Sequence, residues 1–207
     1  MSKVKICGLK RVDDIEYVNE LMPDFIGFVF AKSKRQVNDD TAKNLKAKLS
    51  EKIQSVGVFV NDNPEHIIKL CKEGIIDIIQ LHGDEGEKYA IDLKSKVSCP
   101  IIRAVRVKSS EDIINAEKYP CDYLLLDTYV KDSYGGSGKT FDRKLIPENC
   151  KNYFLAGGLG VSNLKEALSE CNPYAVDLSS GVETDGLKDK EKIRKVIEIV
   201  RGNFNIK

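Results

Sequence analysis

The chain has 207 residues, 42% hydrophobic and 31% charged, a composition that excludes intrinsic disorder and a length that suits one domain with a substantial core. Lysine and arginine number 33 against 32 aspartates and glutamates, so no excess of positive charge points to a nucleic-acid partner or an anionic membrane surface. Any anion bound here must be held by local groups.

The N-terminal run Met1–Cys7 lacks the apolar stretch of a secretory leader, and nowhere do about 18 uncharged apolar residues follow one another as a membrane span requires. The 6 cysteines, at positions 7, 71, 99, 121, 150 and 171, form no CxxC pair. A chain of this length needs no disulfides, so most of these thiols read as small core residues in a reducing cytoplasm.

In chain order, apolar runs alternate with amphipathic stretches. Val4–Cys7 leads into a helical pattern over Val12–Met22, with Asp13 and Asp14 in its first turn. Phe25–Phe30 is followed by Thr41–Leu49, and Ser55–Val60 by Pro64–Cys71, where Asn63-Pro64 reads as an N-cap and an N1 proline. Ile76–Leu81 precedes Glu87–Leu93, and Ile101–Val105 precedes Glu111–Ala116. Tyr123–Asp127 is followed by Thr128–Phe141, a glycine-containing segment with little helical pattern, which predicts a long loop and a short helix in this unit. Tyr153–Ala156 leads to Ser162–Ser169, opened by Ser162 or Asn163, and Ala175–Leu178 leads to Asp189–Val200.

Strands this apolar are buried on both faces, as in a parallel sheet covered by helices, and strict alternation implies right-handed βαβ units. Eight units of about 26 residues predict a single-domain α/β chain, residues 1–207, folded as a (β/α)8 TIM barrel near its lower size limit. The rival, an open doubly wound sheet, usually carries GxGxxG after its first strand. Cys7-Gly8-Leu9-Lys10 is no such fingerprint.

Chemistry in a TIM barrel sits at the C-terminal ends of the strands. Those ends carry Cys7, the loop from Phe30 to Arg35, Asn61, Gln80-Leu81-His82-Gly83-Asp84, Arg103, Asp127, Gly157-Gly158 and Ser179-Ser180-Gly181. The glycine-bearing loops after the seventh and eighth strands hold phosphate in many barrels, where a Cβ would block close approach of the backbone N–H groups. Gly157, Gly158, Ser180 and Gly181 are therefore the expected phosphate site. Gly135-Gly136-Ser137-Gly138-Lys139 is a third glycine-rich stretch on the same side, placed to close over a ligand, but it lacks P-loop spacing.

Asp127 follows Leu124-Leu125-Leu126, and a carboxyl there is expected to stay protonated enough to act as an acid. Strand 6 lies three places from strand 1 by way of strands 7 and 8, so Asp127 and Cys7 are expected to face each other across the mouth. Cys7 fits two readings, a small buried hydrophobe or a base, and spacing alone does not separate them. Arg35 has the fork to grip a carboxylate. His82 fits either a general base or a side chain bonded to a neighbouring loop. Lys5, two residues before Cys7, shares its face and stays in consideration as a catalytic lysine.

Together these residues resemble the phosphoribosylanthranilate isomerase family of tryptophan biosynthesis over nearly the whole chain. The resemblance is carried by Val4-Lys5-Ile6-Cys7-Gly8-Leu9, Ser33-Lys34-Arg35, Gly57-Val58-Phe59-Val60-Asn61 and Gln80-Leu81-His82-Gly83. It continues through Leu126-Asp127, the run Gly135–Asp142, Leu155-Ala156-Gly157-Gly158-Leu159 and Val176-Asp177-Leu178-Ser179-Ser180-Gly181-Val182-Glu183. It implies an Amadori rearrangement of N-(5-phosphoribosyl)anthranilate, with Cys7 as general base, Asp127 as general acid and Arg35 near the anthranilate carboxylate. No metal or organic cofactor is implied, and the partner is a small phosphorylated substrate, with no nucleic acid or membrane. A cytoplasmic monomer or homodimer is expected. Arg143 stands where many members carry tryptophan. Two rival enzymes share the fold: a histidine-pathway isomerase, which is expected to use two aspartates, and indole-glycerol-phosphate synthase, which needs a strand-end lysine. A barrel that binds a phosphorylated metabolite without turnover is a third reading.

Overall fold

In a computed structural model, which describes residues 1–128, 141–150 and 152–202, eight parallel strands close into a barrel in chain order. The strands are β1 (Lys3–Cys7), β2 (Phe25–Val29), β3 (Gln54–Phe59), β4 (Ile78–Leu81), β5 (Ile101–Val107), β6 (Tyr123–Thr128), β7 (Tyr153–Leu155) and β8 (Ala175–Leu178). Closure is made by β1, which pairs with β2 on one side and with β8 on the other. The helices are α1 (Val12–Leu21), α2 (Asp39–Lys46), α3 (Pro64–Lys72), α4 (Glu87–Lys94), α5 (Ser110–Ala116), α6 (Leu164–Glu170) and α7 (Lys190–Val200). None of them is long and apolar enough to cross a membrane.

The expected elements fall within a few residues of the observed ones, and the differences have local causes. β4 begins at Ile78, and Asp77 just before it is tied to β3, its carboxylate accepting from the Ser55 backbone N–H at 2.7 Å and the Ser55 hydroxyl at 2.9 Å. The N-cap at Asn63 is as expected, its side chain accepting from the Glu65 N–H with Pro64 at the start of α3. The sixth unit has no α-helix among the described residues, only a 3-10 turn over Arg143–Leu145. Arg143 pairs there with Glu170 of α6, holding the turn against that helix by charge. The stretch Gly135–Lys139 lies outside the described residues.

Strand side chains alternate between two environments. Val4 and Ile6 of β1, Ile79 and Leu81 of β4, and Val176 and Leu178 of β8 face outward into the large core beneath the helices. The inward set forms a smaller cluster, in which Phe25, Val56, Ile102, Leu125 and Phe154 fill the end of the barrel where the strands begin. Tyr123 and Tyr174 close that end, their rings stacked 4.8 Å apart. Higher up the interior turns polar, because Lys5, Gln80 and Asp177 occupy the next inward positions of β1, β4 and β8.

The sequence reading missed one element. After β8, β9 (Glu183–Thr184) and β10 (Leu187–Lys188) pair antiparallel around Asp185 and Gly186, whose φ values are +52° and +75°. Both central residues in the left-handed region make a tight hairpin turn, and the Asp-Gly dipeptide is the signal that was available.

Candidate active site

The open end of the barrel, at the C-terminal ends of the strands, holds a cavity of about 440 Å³. Cys7 and Asp127 both line it, with Arg35, His82, Gly157, Gly158 and Ser180. Barrel closure explains the convergence: β7 and β8 lie between β6 and β1, so the two glycine loops separate Asp127 from Cys7 as expected. Gly181 lines an adjoining cleft that shares Gly158 and Ser180 with the cavity and adds Lys192.

The glycines serve the protein's own packing first. At Gly157, φ is +86° and a Cβ would stand 2.2 Å from the Thr128 hydroxyl. At Gly181 a Cβ would stand 1.9 Å from the Leu159 carbonyl oxygen. The loops after β7 and β8 are thus pressed together, as the bridge between Gly160 and Gly181 also shows. At these two positions the atoms that a Cβ would meet belong to neighbouring protein, in addition to any need for ligand approach.

Cys7 is 7% exposed. Burial, the largest influence, pushes its thiol above the ordinary value, the Lys5 ammonium opposes that, and the Asp177 carboxylate adds to it. Lys5 is fully buried, its Nζ 3.0 Å from Asp177 Oδ1 and donating to Gln80 Oε1 at 2.8 Å. Burial alone would discharge it, but Asp177 and Cys7 outweigh that and hold the ammonium above its ordinary range. A lysine kept charged in this way is a poor base or nucleophile.

Asp127 is also 7% exposed. Its Oδ1 accepts from the Thr128 N–H at 2.8 Å, and its Oδ2 lies 3.4 Å from His82 Nε2. His82 Nδ1 stands 2.9 Å from the Gln80 amide nitrogen. His82 is therefore bonded within the barrel interior and lines the cavity, rather than serving a neighbouring loop.

Arg35 lines the cavity, but its fork is engaged by protein. Nε donates to Glu183 Oε1 at 2.6 Å and Nη2 to Oε2 at 2.8 Å. Lys188, buried in the hairpin, donates to the same Oε1 at 2.7 Å and to the Ser179 carbonyl at 3.0 Å. Burial works against the Glu183 charge, but hydrogen bonds from Arg35 and Lys188 prevail and bring its pKa down to about 2. For Lys188 burial prevails and lowers the pKa despite Glu183. Nη1 of Arg35 makes no hydrogen bond among the described residues.

Two strand-end positions turn away. Arg103 donates to Glu85 at 2.8 Å and lies over the Tyr119 ring. Asn61 accepts from the Asp84 N–H at 2.8 Å and donates its backbone N–H to Glu85 at 2.8 Å, bracing the loop after β4. Lys188 and the role of Glu183 were missed, because the hairpin that presents them was not anticipated. Among the described residues, no cluster of His, Cys, Asp and Glu is suited to hold a metal ion.

A family profile described as N-(5'phosphoribosyl)anthranilate (PRA) isomerase matches residues 4–199. The chain is 49% identical over 201 residues to the N-(5'-phosphoribosyl)anthranilate isomerase of Endomicrobium trichonymphae, covering 97% of this chain and 99% of that one. The corresponding protein of Lachnoclostridium phytofermentans is 46% identical over 208 residues, covering 94% and 95%. Among solved structures, phosphoribosyl anthranilate isomerase from Thermus thermophilus superposes with a TM-score of 0.85 at 31% identity, covering 98% of this chain and 100% of that one. Another phosphoribosyl anthranilate isomerase, solved with reduced 1-(o-carboxyphenylamino)-1-deoxyribulose 5-phosphate, gives 0.81 at 32% identity with the same coverage.

Proposed function

The chain belongs to the N-(5'-phosphoribosyl)anthranilate isomerase family, and from that premise we propose how its residues divide the work of the Amadori rearrangement. The reaction converts N-(5-phosphoribosyl)anthranilate to 1-(2-carboxyphenylamino)-1-deoxyribulose 5-phosphate. The observation that carries the assignment is that Cys7 and Asp127, on strands separated by the two glycine loops, line one cavity.

Asp127 is the general acid. Its Oδ2 gives a proton to the furanose ring oxygen, the C–O bond to the anomeric carbon breaks, and the nitrogen lone pair forms the iminium. Cys7 is the general base. As the thiolate it removes the proton from the adjacent sugar carbon, made acidic by the iminium, and the electron pair left behind forms the enolamine. Tautomerisation returns a proton to the former anomeric carbon and takes one from the enol hydroxyl, giving the ketone. Each positioned proton transfer contributes about 10²–10⁴-fold. The charges of Lys5 and Lys188 favour the thiolate that burial disfavours.

Gly157, Gly158, Ser180 and Gly181 hold the phosphate through backbone N–H groups and the serine hydroxyl, and Lys192 adds charge behind them. Arg35 meets the anthranilate carboxylate through Nη1, its other edge fixed on Glu183. His82 lines the wall beside Asp127. With both ends anchored, the ring is held between acid and base.

The test follows anthranilate fluorescence as the purified protein acts on freshly generated substrate, with EDTA present. Asp127→Asn and Cys7→Ala are expected to fold and to lose at least about 100-fold in kcat. Near-normal turnover by folded Asp127→Asn would remove it as the acid.

A further inference from the structure

We infer that Lys5 fixes the tautomer of His82 through the Gln80 amide, so that His82 is a neutral hydrogen-bond donor to Asp127 and is withheld from acting as a base. Three contacts cross the barrel interior from Lys5 to Asp127. Lys5 Nζ donates to Gln80 Oε1 at 2.8 Å, where both side chains are buried. An ammonium has donors and no acceptor, so the amide has only one orientation compatible with this contact. Its nitrogen then faces His82 Nδ1 at 2.9 Å. An amide nitrogen can only donate, so Nδ1 must accept, and the single proton of the neutral imidazole sits on Nε2.

Nε2 lies 3.4 Å from Asp127 Oδ2 and has no hydrogen-bond partner among the described residues. The other carboxyl oxygen already accepts from the Thr128 N–H. Catalytic hydrogen bonds are often long before substrate binds and tighten in the complex. When Asp127 releases its proton, the Nε2–H is placed to stabilise the carboxylate that remains, which favours the transfer. A second proton on Nδ1 would face the amide N–H₂ directly and is opposed.

Lys5 is fully buried and Gln80 lines the cavity beside His82, and toward Asp127 both act through His82, which makes them positioning residues for the acid. Lys5 also shares the inward face of β1 with Cys7, two residues on. One buried ammonium thereby acts toward the base directly and toward the acid through two side chains. The catalytic consequence rests on Asp127 being the acid; the tautomer does not.

The sequence contains 2 histidines, His66 and His82, so the test is a long-range ¹H–¹⁵N spectrum of labelled protein, assigned with His66→Gln. Expected is an unprotonated Nδ1 and a protonated Nε2 for His82, with a through-hydrogen-bond coupling between Gln80 Nε2 and His82 Nδ1. A protonated Nδ1, or no coupling, in the wild type would overturn the inference without recourse to any variant. In Gln80→Glu the facing atom becomes an acceptor, so Nδ1 is expected to gain a proton and kcat to fall about 10-fold with KM nearly unchanged. An unprotonated Nδ1 in that variant, or a flipped tautomer with unchanged kcat, would also defeat it. In Lys5→Met/Asp177→Asn, where no buried carboxylate is left unpaired, the amide is free to turn and the coupling is expected to weaken; a coupling of full strength would remove Lys5 from the scheme. These spectra need no substrate. Their failure is therefore distinct from failure of the acid assignment, which Asp127→Asn turnover decides.

Discussion

Arg35 holds Glu183 with both edges of its fork, Nε on Oε1 at 2.6 Å and Nη2 on Oε2 at 2.8 Å, linking the loop after β2 to the hairpin after β8. The pair is 12% and 6% exposed, so solvent screens it little. Glu183 is held near a pKa of about 2 against an ordinary 4.5, hydrogen bonds from Arg35 and Lys188 overcoming its burial. A depressed folded-state pKa gives stability that is full above about pH 4.5 and is lost as pH falls toward about 2, on the order of 3 kcal/mol. Glu183→Gln is therefore expected to melt at a lower temperature at neutral pH and to lose less stability over that acid window. Parallel melting curves for both proteins between these pH values would contradict it.

Cys7 should alkylate slowly at neutral pH. Burial pushes its thiol above the ordinary 9.0, with Lys5 only partly offsetting the shift, and the thiolate is the nucleophile. Peptide mass spectrometry after iodoacetamide treatment is expected to show Cys7 labelling still increasing beyond pH 9.0. A plateau at or below that pH would mean that the lysines outweigh burial.

Gly157→Ala combines two penalties, a left-handed φ of +86° and a Cβ 2.2 Å from the Thr128 hydroxyl. We expect a loss of at least about 1–3 kcal/mol in chemical denaturation. Because Thr128 follows Asp127, turnover should drop as well. Wild-type stability in this variant would show that the loop relaxes at no cost.

Phe154→Ala separates the two ends of the barrel. Phe154 is fully buried among Phe25, Tyr123 and Tyr174, with ring centroids 5.5 to 5.7 Å away. Its removal is expected to destabilise by about 3–5 kcal/mol while KM stays near the wild-type value, since the strand-start end serves stability. A large rise in KM in the folded variant would count against this separation.

Much of the molecule was legible from the residues. The eight apolar runs, the helical stretches between them and Asn63-Pro64 specified strand–helix alternation, because buried parallel strands and amphipathic helices leave periodic signatures and caps leave local ones. Counting those units, with the rule that barrel chemistry collects at strand ends, sufficed to nominate Cys7, Asp127, Arg35, His82 and the glycine loops. The Asp185-Gly186 turn leaves an equally local signal in its dipeptide.

What tertiary structure decided is which side chains meet. Closure of β8 onto β1 brings Lys5 to Asp177 across 172 positions of sequence and sets Gln80 against Lys5 across 75. Period-two alternation places Lys5 inward, yet no periodicity reveals that it is charged, paired and unfit to be a nucleophile. Nor does sequence show that Arg35 already has a carboxylate in its fork, or that Gly181 is glycine because Leu159 leaves no room. Local pattern determines where the backbone is buried and which way a side chain points. Partnership, and with it charge state and hydrogen-bond direction, depends on distances between strands far apart in the chain, and those exist only once the barrel has closed.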